Sequence, residues 1–392
     1  MRISGAKVYS KDHTFKNETI YIDNDRIAET ASDDENFDAS GLTAIPGLVD
    51  IHFHGAMGHD FCNTDSEGLR KIAEYEAQNG ILAICPATMT YSEEILEDIC
   101  KKAQVYSAES KLLISESINN IRNSSMIADF IGINMEGPFV SKDKLGAQNP
   151  KYLAAPDVNM FRRLQKASGN LIKLIDIAPE LDKSIEFIRE LSEEVTVSLA
   201  HTSCDYDTAT TAFCSGARHM THLFNAMPGI NHRNPGPIIA ALENNAEVEL
   251  IADGIHIHPA MVRFVFNTFG EDKVILISDS MEATGLPDGE YQLGGQKVNV
   301  KGNLAVLADN PETIAGSVTN LFECMKKAVK EMGVPLEKAI RAASENPAKS
   351  IGIFKDYGSI STGKYANIIL VDDELNINHI IWHGRSYGSK HY

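Results

Sequence analysis

The sequence predicts an α/β fold built on a (β/α)8 barrel, and three observations predict it. The chain has 392 residues, of which 43% are hydrophobic, so it can bury a large core without disulfides. Short runs rich in Val, Ile and Leu recur through its middle, and stretches with helical periodicity separate them. Eight such units in one domain indicate a barrel of parallel strands. The eight runs lie at 47–55, 80–88, 130–137, 171–180, 195–202, 217–226, 248–257 and 274–280.

The two ends of the chain differ from this middle because both are rich in short β-strand signals separated by turn residues. Chain termini often lie close together in space. We therefore expect one small β-sandwich domain formed by residues 1–46 and 351–392. The barrel then spans 47–350, with a β-hairpin insertion near 290–309 and closing helices after it.

Composition excludes several classes of function. Asp and Glu number 54 against 36 Lys and Arg, which gives a net charge of −18 and argues against binding to nucleic acid or anionic membranes. No stretch approaches the roughly 18 apolar residues that span a bilayer. The start of the chain has no apolar signal region, and the six cysteines form no C-x-x-C pair. These features predict a cytoplasmic protein with free, mostly buried thiols.

Residues that can bind metal or move protons follow the ends of the predicted strands. A single histidine at such a place is more often structural. A set at equivalent ends of separate strands favours an active site, because the carboxyl ends of barrel strands form the active-site face. The set comprises His52, His54, Glu136, His201, His222, His256 and Asp279.

Five of these residues predict a metal site. His52 and His54 form H-x-H, and alternate residues of a strand share a face. Glu136, His201 and His222 supply one carboxylate and two imidazoles, the ligand set of a catalytic ion that keeps a position for water. Such an ion lowers the pKa of its water to about 7. The alternative for Glu136 is a turn or helix-capping carboxylate.

Two further strand ends carry candidate catalytic groups. Asp279 can take a proton from water and later deliver it to a leaving group, although it could instead cap the next turn. His256 can polarise a substrate carbonyl. His258 shares its strand face and is the less favoured alternative because it comes second.

The Gly/Pro-rich segment 225–237 is a candidate phosphate site. It offers the amide of Asn225, backbone N–H groups and the guanidinium of Arg233, which can bind a phosphate by charge-assisted hydrogen bonds. The alternative is a structural loop with a solvated arginine. A basic side chain on the active face of an acidic protein favours the phosphate site.

These motifs together resemble the amidohydrolase superfamily and, within it, the branch of N-acetylglucosamine-6-phosphate deacetylases. The likeness covers nearly the whole chain and is most specific in MEGP with THLFNAM. It is carried by PGLVDIHFHG, INMEGPF, GAQNPKYL, THLFNAM, ADGIHIHP, LISDSMEATG and AGSVTNL. The resemblance implies a metal-dependent hydrolase that converts N-acetyl-D-glucosamine 6-phosphate to D-glucosamine 6-phosphate and acetate, in amino-sugar catabolism and cell-wall sugar recycling.

The resemblance also implies roles for individual residues. Glu136, His201 and His222 would hold one divalent ion (Zn, Fe, Mn or Co), and the intact His52 and His54 allow a second, bridged by Glu136. Asp279 would act as general base and then general acid, and His256 would meet the acetyl carbonyl. The sugar phosphate would be held by Asn225, the backbone of Ala226 and Arg233. A homodimer is usual in such enzymes, and Arg233 could serve the neighbouring subunit's site.

Two departures and three rival functions remain open at this point. Ala178-Pro179-Glu180 stands where other amidohydrolases carry a carboxylated lysine, and Gln148 stands where some relatives have a histidine near the substrate. The Gln148 amide can contact a sugar hydroxyl but cannot carry a proton. The rivals are a cyclic-amide hydrolase, a deacetylase for the galactosamine epimer, and a catalytically dead barrel that serves as a scaffold.

Overall fold

The computed structural model describes residues 1–32, 35–119 and 125–388, and its first part is a series of short strands. Within those ranges the N-terminal strands are β1 Arg2–Ser4, β2 Lys7–Tyr9, β3 Phe15–Asn17, β4 Ile20–Asp23, β5 Arg26–Ala28, β6 Asn36–Asp38 and β7 Thr43–Pro46.

The middle of the chain alternates parallel strands with helices. Its elements are β8 Leu48–Asp50, β9 Gly55–Ala56, β10 His59–Asp60, α1 Ser66–Gln78, β11 Ile81–Ile84, α2 Glu93–Asn119, β12 Asp129–Phe130, β13 Ile133–Met135, a 3-10 turn at Pro150–Tyr152, α3 Val158–Ala167, β14 Ile172–Ile177, α4 Ser184–Leu191, β15 Thr196–Leu199, α5 Tyr206–Cys214, β16 His219–Met220, α6 Gly236–Glu243, β17 Glu247–Ile251, α7 Pro259–Thr268 and β18 Val274–Ile277. Each of the eight predicted runs overlaps a strand, and every strand is shorter than its run.

The last part of the described chain returns to β structure after three helices. Its elements are β19 Gly289–Leu293, β20 Gln296–Lys301, β21 Leu304–Leu307, α8 Leu321–Lys330, α9 Leu336–Ala343, α10 Glu345–Ser350, β22 Ile368–Val371, β23 Ile377–Trp382 and β24 Arg385–Gly388. The expected hairpin insertion differs from the structure, because β19, β20 and β21 form a three-stranded antiparallel sheet. The third strand forms because Leu304–Leu307 turns back along β20 and buries Ala305 and Leu307.

The parallel strands form a six-stranded sheet of order β13-β14-β15-β16-β17-β18 and a three-stranded sheet of order β12-β11-β8. An isolated parallel bridge between Ala87 and Asn134 lies between the two sheets. All strands of both sheets run in the same direction, so their carboxyl ends meet at one edge. Helices follow most of them; Asp65 caps the start of α1 and Asp205 the start of α5.

The two ends of the chain contribute to one mixed sheet of order β24-β23-β22-β7-β2-β3. A second sheet, β5-β4-β1-β6, comes entirely from the N-terminal part. Side chains from both sheets share one hydrophobic cluster, which includes Ile3 and Ile22 from one and Ile368 and Ile381 from the other. Within the described ranges, every helix is too short or too polar to cross a membrane.

Candidate metal centre and cavity

The predicted ligands meet at the carboxyl edge of the parallel strands. His201, His222 and Asp279 are each the second residue after their strands β15, β16 and β18. All three adopt left-handed backbone conformations, with φ of 42°, 30° and 50°. Non-glycine residues rarely adopt this conformation, and such strain clusters at functional sites. The turn after each strand directs a polar side chain into the space above the sheet.

Glu136 lies at the centre of this cluster, directly after β13. Its Oε1 lies 2.9 Å from Nε2 of His201 and 3.2 Å from Nε2 of His222, and the two Nε2 atoms are 3.1 Å apart. Nδ1 of His201 donates to the carbonyl oxygen of Lys144 at 2.8 Å, so Nε2 of a neutral His201 is an acceptor. An acceptor nitrogen facing a carboxylate oxygen at this distance fits a shared cation. The donor set suits a divalent metal ion.

The first-strand histidines form a second group around the same carboxylate. Nε2 of His54 lies 3.5 Å from Oε2 of Glu136, and Nε2 of His52 lies 3.7 Å from its Oε1. The Nε2 atom of His52 is buried and has no hydrogen-bond partner within the described residues, which also fits a cation. Both groups of three, His52–His54–Glu136 and Glu136–His201–His222, place their ligand atoms within 4.8 Å of one another.

Opposite charges around the cluster outweigh the cost of burial. Burial by itself raises the pKa of Glu136, but the adjacent imidazoles of His201 and His222 hold that pKa well below its usual value. Burial likewise opposes ionisation of Asp279, and the hydrogen bond with His54 lowers its pKa. Both carboxyl groups are therefore ionised at neutral pH.

Two residues near Glu136, Gly137 and Gln148, are fixed by their contacts. Gly137 has φ of +80°, and a Cβ there would lie 2.2 Å from Oγ1 of Thr90, so only glycine fits. Gln148 donates from Nε2 to Oε2 of Glu136 at 2.8 Å and accepts at Oε1 from the backbone N of Thr90 at 2.7 Å. Its amide therefore hydrogen-bonds to Glu136, in addition to lining the cavity in which a contact with a sugar hydroxyl was expected.

His256 and Asp279 face the same cavity. Nδ1 of His256 lies 2.7 Å from Oδ2 of Asp253, and although burial lowers the pKa of His256, this hydrogen bond raises it above the usual value. Oδ1 of Asp279 lies 3.3 Å from Nε2 of His54. His258, the less favoured alternative, is exposed and caps α7 by accepting from the backbone N of Ala260.

The cluster opens into a cavity of about 330 Å³. Of the predicted phosphate-binding residues, Asn225 and Ala226 line this cavity, whereas Arg233 is exposed and lies outside its lining. The predicted residues in the lining are His54, Glu136, Gln148, His201, His222, Asn225, Ala226, His256 and Asp279. His52 lies behind them, fully buried.

Several residues near the site were not predicted. Asp253 and Glu249 support His256 and His52 by hydrogen bonds. Leu293, from the inserted sheet, lines the cavity with the loop residues Glu312, Thr313 and Ile314. The sequence shows Glu249 within the apolar strand β17 and Asp253 two residues after it, but the loop has no distinctive motif.

Comparison with known proteins gives consistent results. The model of the amidohydrolase family matches residues 43–386. The chain is 36% identical to the N-acetylglucosamine-6-phosphate deacetylase of Bacillus subtilis, over 85% of this chain and 81% of that protein. It is 30% identical to the human protein of the same name, over 92% and 86%. A structure of a mutant Mycobacterium smegmatis N-acetyl-D-glucosamine-6-phosphate deacetylase, in complex with N-acetyl-D-glucosamine-6-phosphate, matches with a TM-score of 0.86 and 28% identity, over 98% of both chains.

Proposed function

Because the chain belongs to the amidohydrolase family, in its branch of N-acetylglucosamine-6-phosphate deacetylases, we propose that it hydrolyses the acetamide of N-acetyl-D-glucosamine 6-phosphate. The products are D-glucosamine 6-phosphate and acetate, and the reaction belongs to amino-sugar catabolism and cell-wall sugar recycling. The convergence of Glu136, His201, His222 and Asp279 on one cavity carries this proposal.

Glu136, His201 and His222 would hold a divalent ion, and His52, His54 and Glu136 would hold a second. When bound, such an ion supplies Lewis acidity toward the acetyl carbonyl and lowers the pKa of water. Zinc, iron, manganese and cobalt all accept imidazole and carboxylate ligands. The buried Nε2 of His52 supports the second position.

Asp279 moves the proton of the reaction. It is ionised, so Oδ1 or Oδ2 can accept a proton from the attacking water. Asp279 then gives this proton to the amide nitrogen as the C–N bond breaks, so that the nitrogen departs as a neutral amine. The distance of 3.3 Å between Oδ1 of Asp279 and Nε2 of His54 supports this role.

His256 binds the acetyl carbonyl oxygen. Asp253 accepts from Nδ1 and favours the imidazolium, whose Nε2 is then a donor. A donor aimed at the oxygen where negative charge develops stabilises the transition state more than the substrate. Gln148 holds Glu136 in place from the other side.

The phosphate end of the substrate is held by Asn225, the backbone of Ala226 and Arg233. Binding energy gained there orients the acetamide at the cluster. We propose a homodimer in which Arg233 reaches the cavity of the neighbouring subunit. Its exposure outside the lining of its own cavity supports this arrangement.

The fold proposal is a closed (β/α)8 barrel of 47–350 carrying a β-sandwich of 1–46 and 351–392. Hydrogen bonds between the ends of β8 and β18 support closure of the barrel. The backbone N of Asp279 donates to the carbonyl oxygen of His52 at 2.9 Å, and Oγ of Ser278 donates to Oδ2 of Asp50 at 2.6 Å. Residues 33–34 and 389–392 of the sandwich lie outside the described ranges. We place the protein in the cytoplasm, where its phosphorylated substrate would be retained.

Acetate release tests the proposed function. N-acetylglucosamine 6-phosphate is compared with the unphosphorylated sugar and with N-acetylgalactosamine 6-phosphate. Fast release from the first substrate alone supports the proposal in full. Faster release from the galactosamine epimer would identify that epimer as the substrate. If a metal-loaded protein releases acetate from none of the three sugars, the cyclic-amide hydrolase or the scaffold would be favoured.

A further inference from the structure

Glu249 lies beneath the metal-binding cluster and contacts two of its members. It is fully buried on β17 and does not line the cavity. Its Oε2 lies 2.9 Å from Nδ1 of His52 and accepts from the backbone N of His222 at 3.2 Å. We propose that Glu249 is a positioning residue that holds His52 and His222 ready to bind metal, a role that rests on the proposed function of the cluster.

The contact with His52 selects one tautomer of the imidazole. A carboxylate has only acceptor atoms, so Nδ1 of His52 carries the hydrogen of this bond. The neutral ring then presents its lone pair on Nε2. That atom lies 3.7 Å from Oε1 of Glu136 and 3.9 Å from Oδ1 of Asp279. Glu249 thus fixes both the ring orientation and the nitrogen that faces the other ligands, as carboxylates behind metal-binding histidines do.

The contact with His222 acts on the main chain. His222 has φ of 30°, a conformation unfavourable for any residue with a side chain. Its backbone N donates to the Glu249 side chain, and the next residue, Leu223, donates its backbone N to the carbonyl oxygen of Glu249 at 2.8 Å. Glu249 therefore holds the side chain of His52, which follows β8, and the main-chain turn of His222, which follows β16.

The parallel strands offer a matched control. Asp129 is a buried carboxylate in β12, and its Oδ1 lies 2.9 Å from Nε2 of His383. It also accepts from the hydroxyl of Tyr357 at 2.7 Å, and within the described residues it makes no hydrogen bond to a member of the cluster. Asp129→Asn therefore changes a buried carboxylate–imidazole pair away from the metal-binding residues.

Metal binding tests the proposal without any substrate. Full-length protein is stripped with a chelator and titrated with Zn²⁺ and with Co²⁺, whose absorption reports its ligands. Glu249→Gln keeps the size of the side chain, but its amide can donate to Nδ1 and so stabilise the wrong tautomer. We expect it to weaken binding about 10–100-fold and to alter the Co²⁺ spectrum, while Asp129→Asn changes neither. Wild-type affinity in folded Glu249→Gln and Glu249→Leu proteins would overturn the proposal, because Leu has no acceptor atom for either contact.

A double-mutant cycle separates positioning from a general structural role. If Glu249 acts largely through His52, most of the effect of Glu249→Gln on metal affinity disappears in a His52→Asn background. An equal fold-change in both backgrounds would overturn the proposed action through His52 and would leave the contact with the His222 turn as the sole positioning role. Acetate release by the wild-type protein is measured separately, so a protein that shows the expected metal binding and no deacetylation would contradict the proposed function alone.

Discussion

Nε2 of His54 and Oδ1 of Asp279 lie 3.3 Å apart, which joins the end of the first parallel strand to the end of the last. The contact lowers the pKa of Asp279 despite the burial of its carboxyl group. It also places the proposed proton carrier beside a proposed metal ligand. The same residue pair thus connects the metal centre with the proton transfer of the reaction.

Asp279→Asn is expected to retain bound metal and to lose turnover by about a hundredfold to ten-thousandfold, because an amide cannot accept the proton. Steady-state kcat is measured together with metal content. Glu282→Gln is the control, since Glu282 lies outside the cavity lining and accepts from the backbone N of Gln292. A near-normal rate in Asp279→Asn would remove Asp279 from the mechanism.

Arg233→Ala is expected to reduce kcat/KM for the phosphorylated sugar by about 10–150-fold, the value of a charge-assisted hydrogen bond of roughly 1.5–3 kcal/mol. The unphosphorylated sugar should be affected little. Arg189→Ala, which removes an exposed arginine from α4, provides the control. Equal losses on both sugars would contradict a phosphate-binding role.

Asp253→Asn is expected to shift the pH dependence of kcat/KM. The pKa of His256 is raised above 6.5 by Asp253, so the imidazolium persists to higher pH and is lost as pH rises through that pKa. Without the carboxylate, burial lowers the pKa of His256, and the alkaline limb should move to lower pH. The acidic side of the profile serves as an internal reference. An unmoved alkaline limb would show that His256 does not act as the imidazolium.

Gln148→Ala distinguishes two roles for the amide. The structure shows hydrogen bonds to Glu136 and to the backbone of Thr90, so we expect weaker metal binding and a loss of about 1–3 kcal/mol in unfolding free energy from the unsatisfied buried groups. Metal titration and thermal unfolding measure these effects. A raised KM with unchanged metal affinity would instead favour the sugar-hydroxyl contact expected from the sequence.

The sequence predicted the elements of the fold better than their extent. All eight apolar runs overlap a strand, because continuous burial on both faces leaves a clear apolar signature. The run at 217–226 contains only β16 His219–Met220, since the left-handed residues His222, Phe224 and Ala226 end the strand early. Hydrophobicity does not encode that backbone conformation.

The convergence of these side chains was predictable where residue type and strand position coincide. His201, His222 and Asp279 combine a reactive side chain with a strand end. Glu249 and Asp253 were missed because their roles depend on which distant side chain each one faces. The lining by Thr313 and Ile314 depends on how the inserted sheet folds back over the cavity, which local patterns do not specify.

The most direct test of the central claim is acetate release from N-acetylglucosamine 6-phosphate, followed as chelator-stripped protein is reloaded with a divalent metal. We predict no release without metal. Release should then rise in proportion to bound metal, with one glucosamine 6-phosphate formed per acetate. A fully loaded protein that leaves this substrate intact, or a stripped protein that cleaves it at the same rate, would contradict the account.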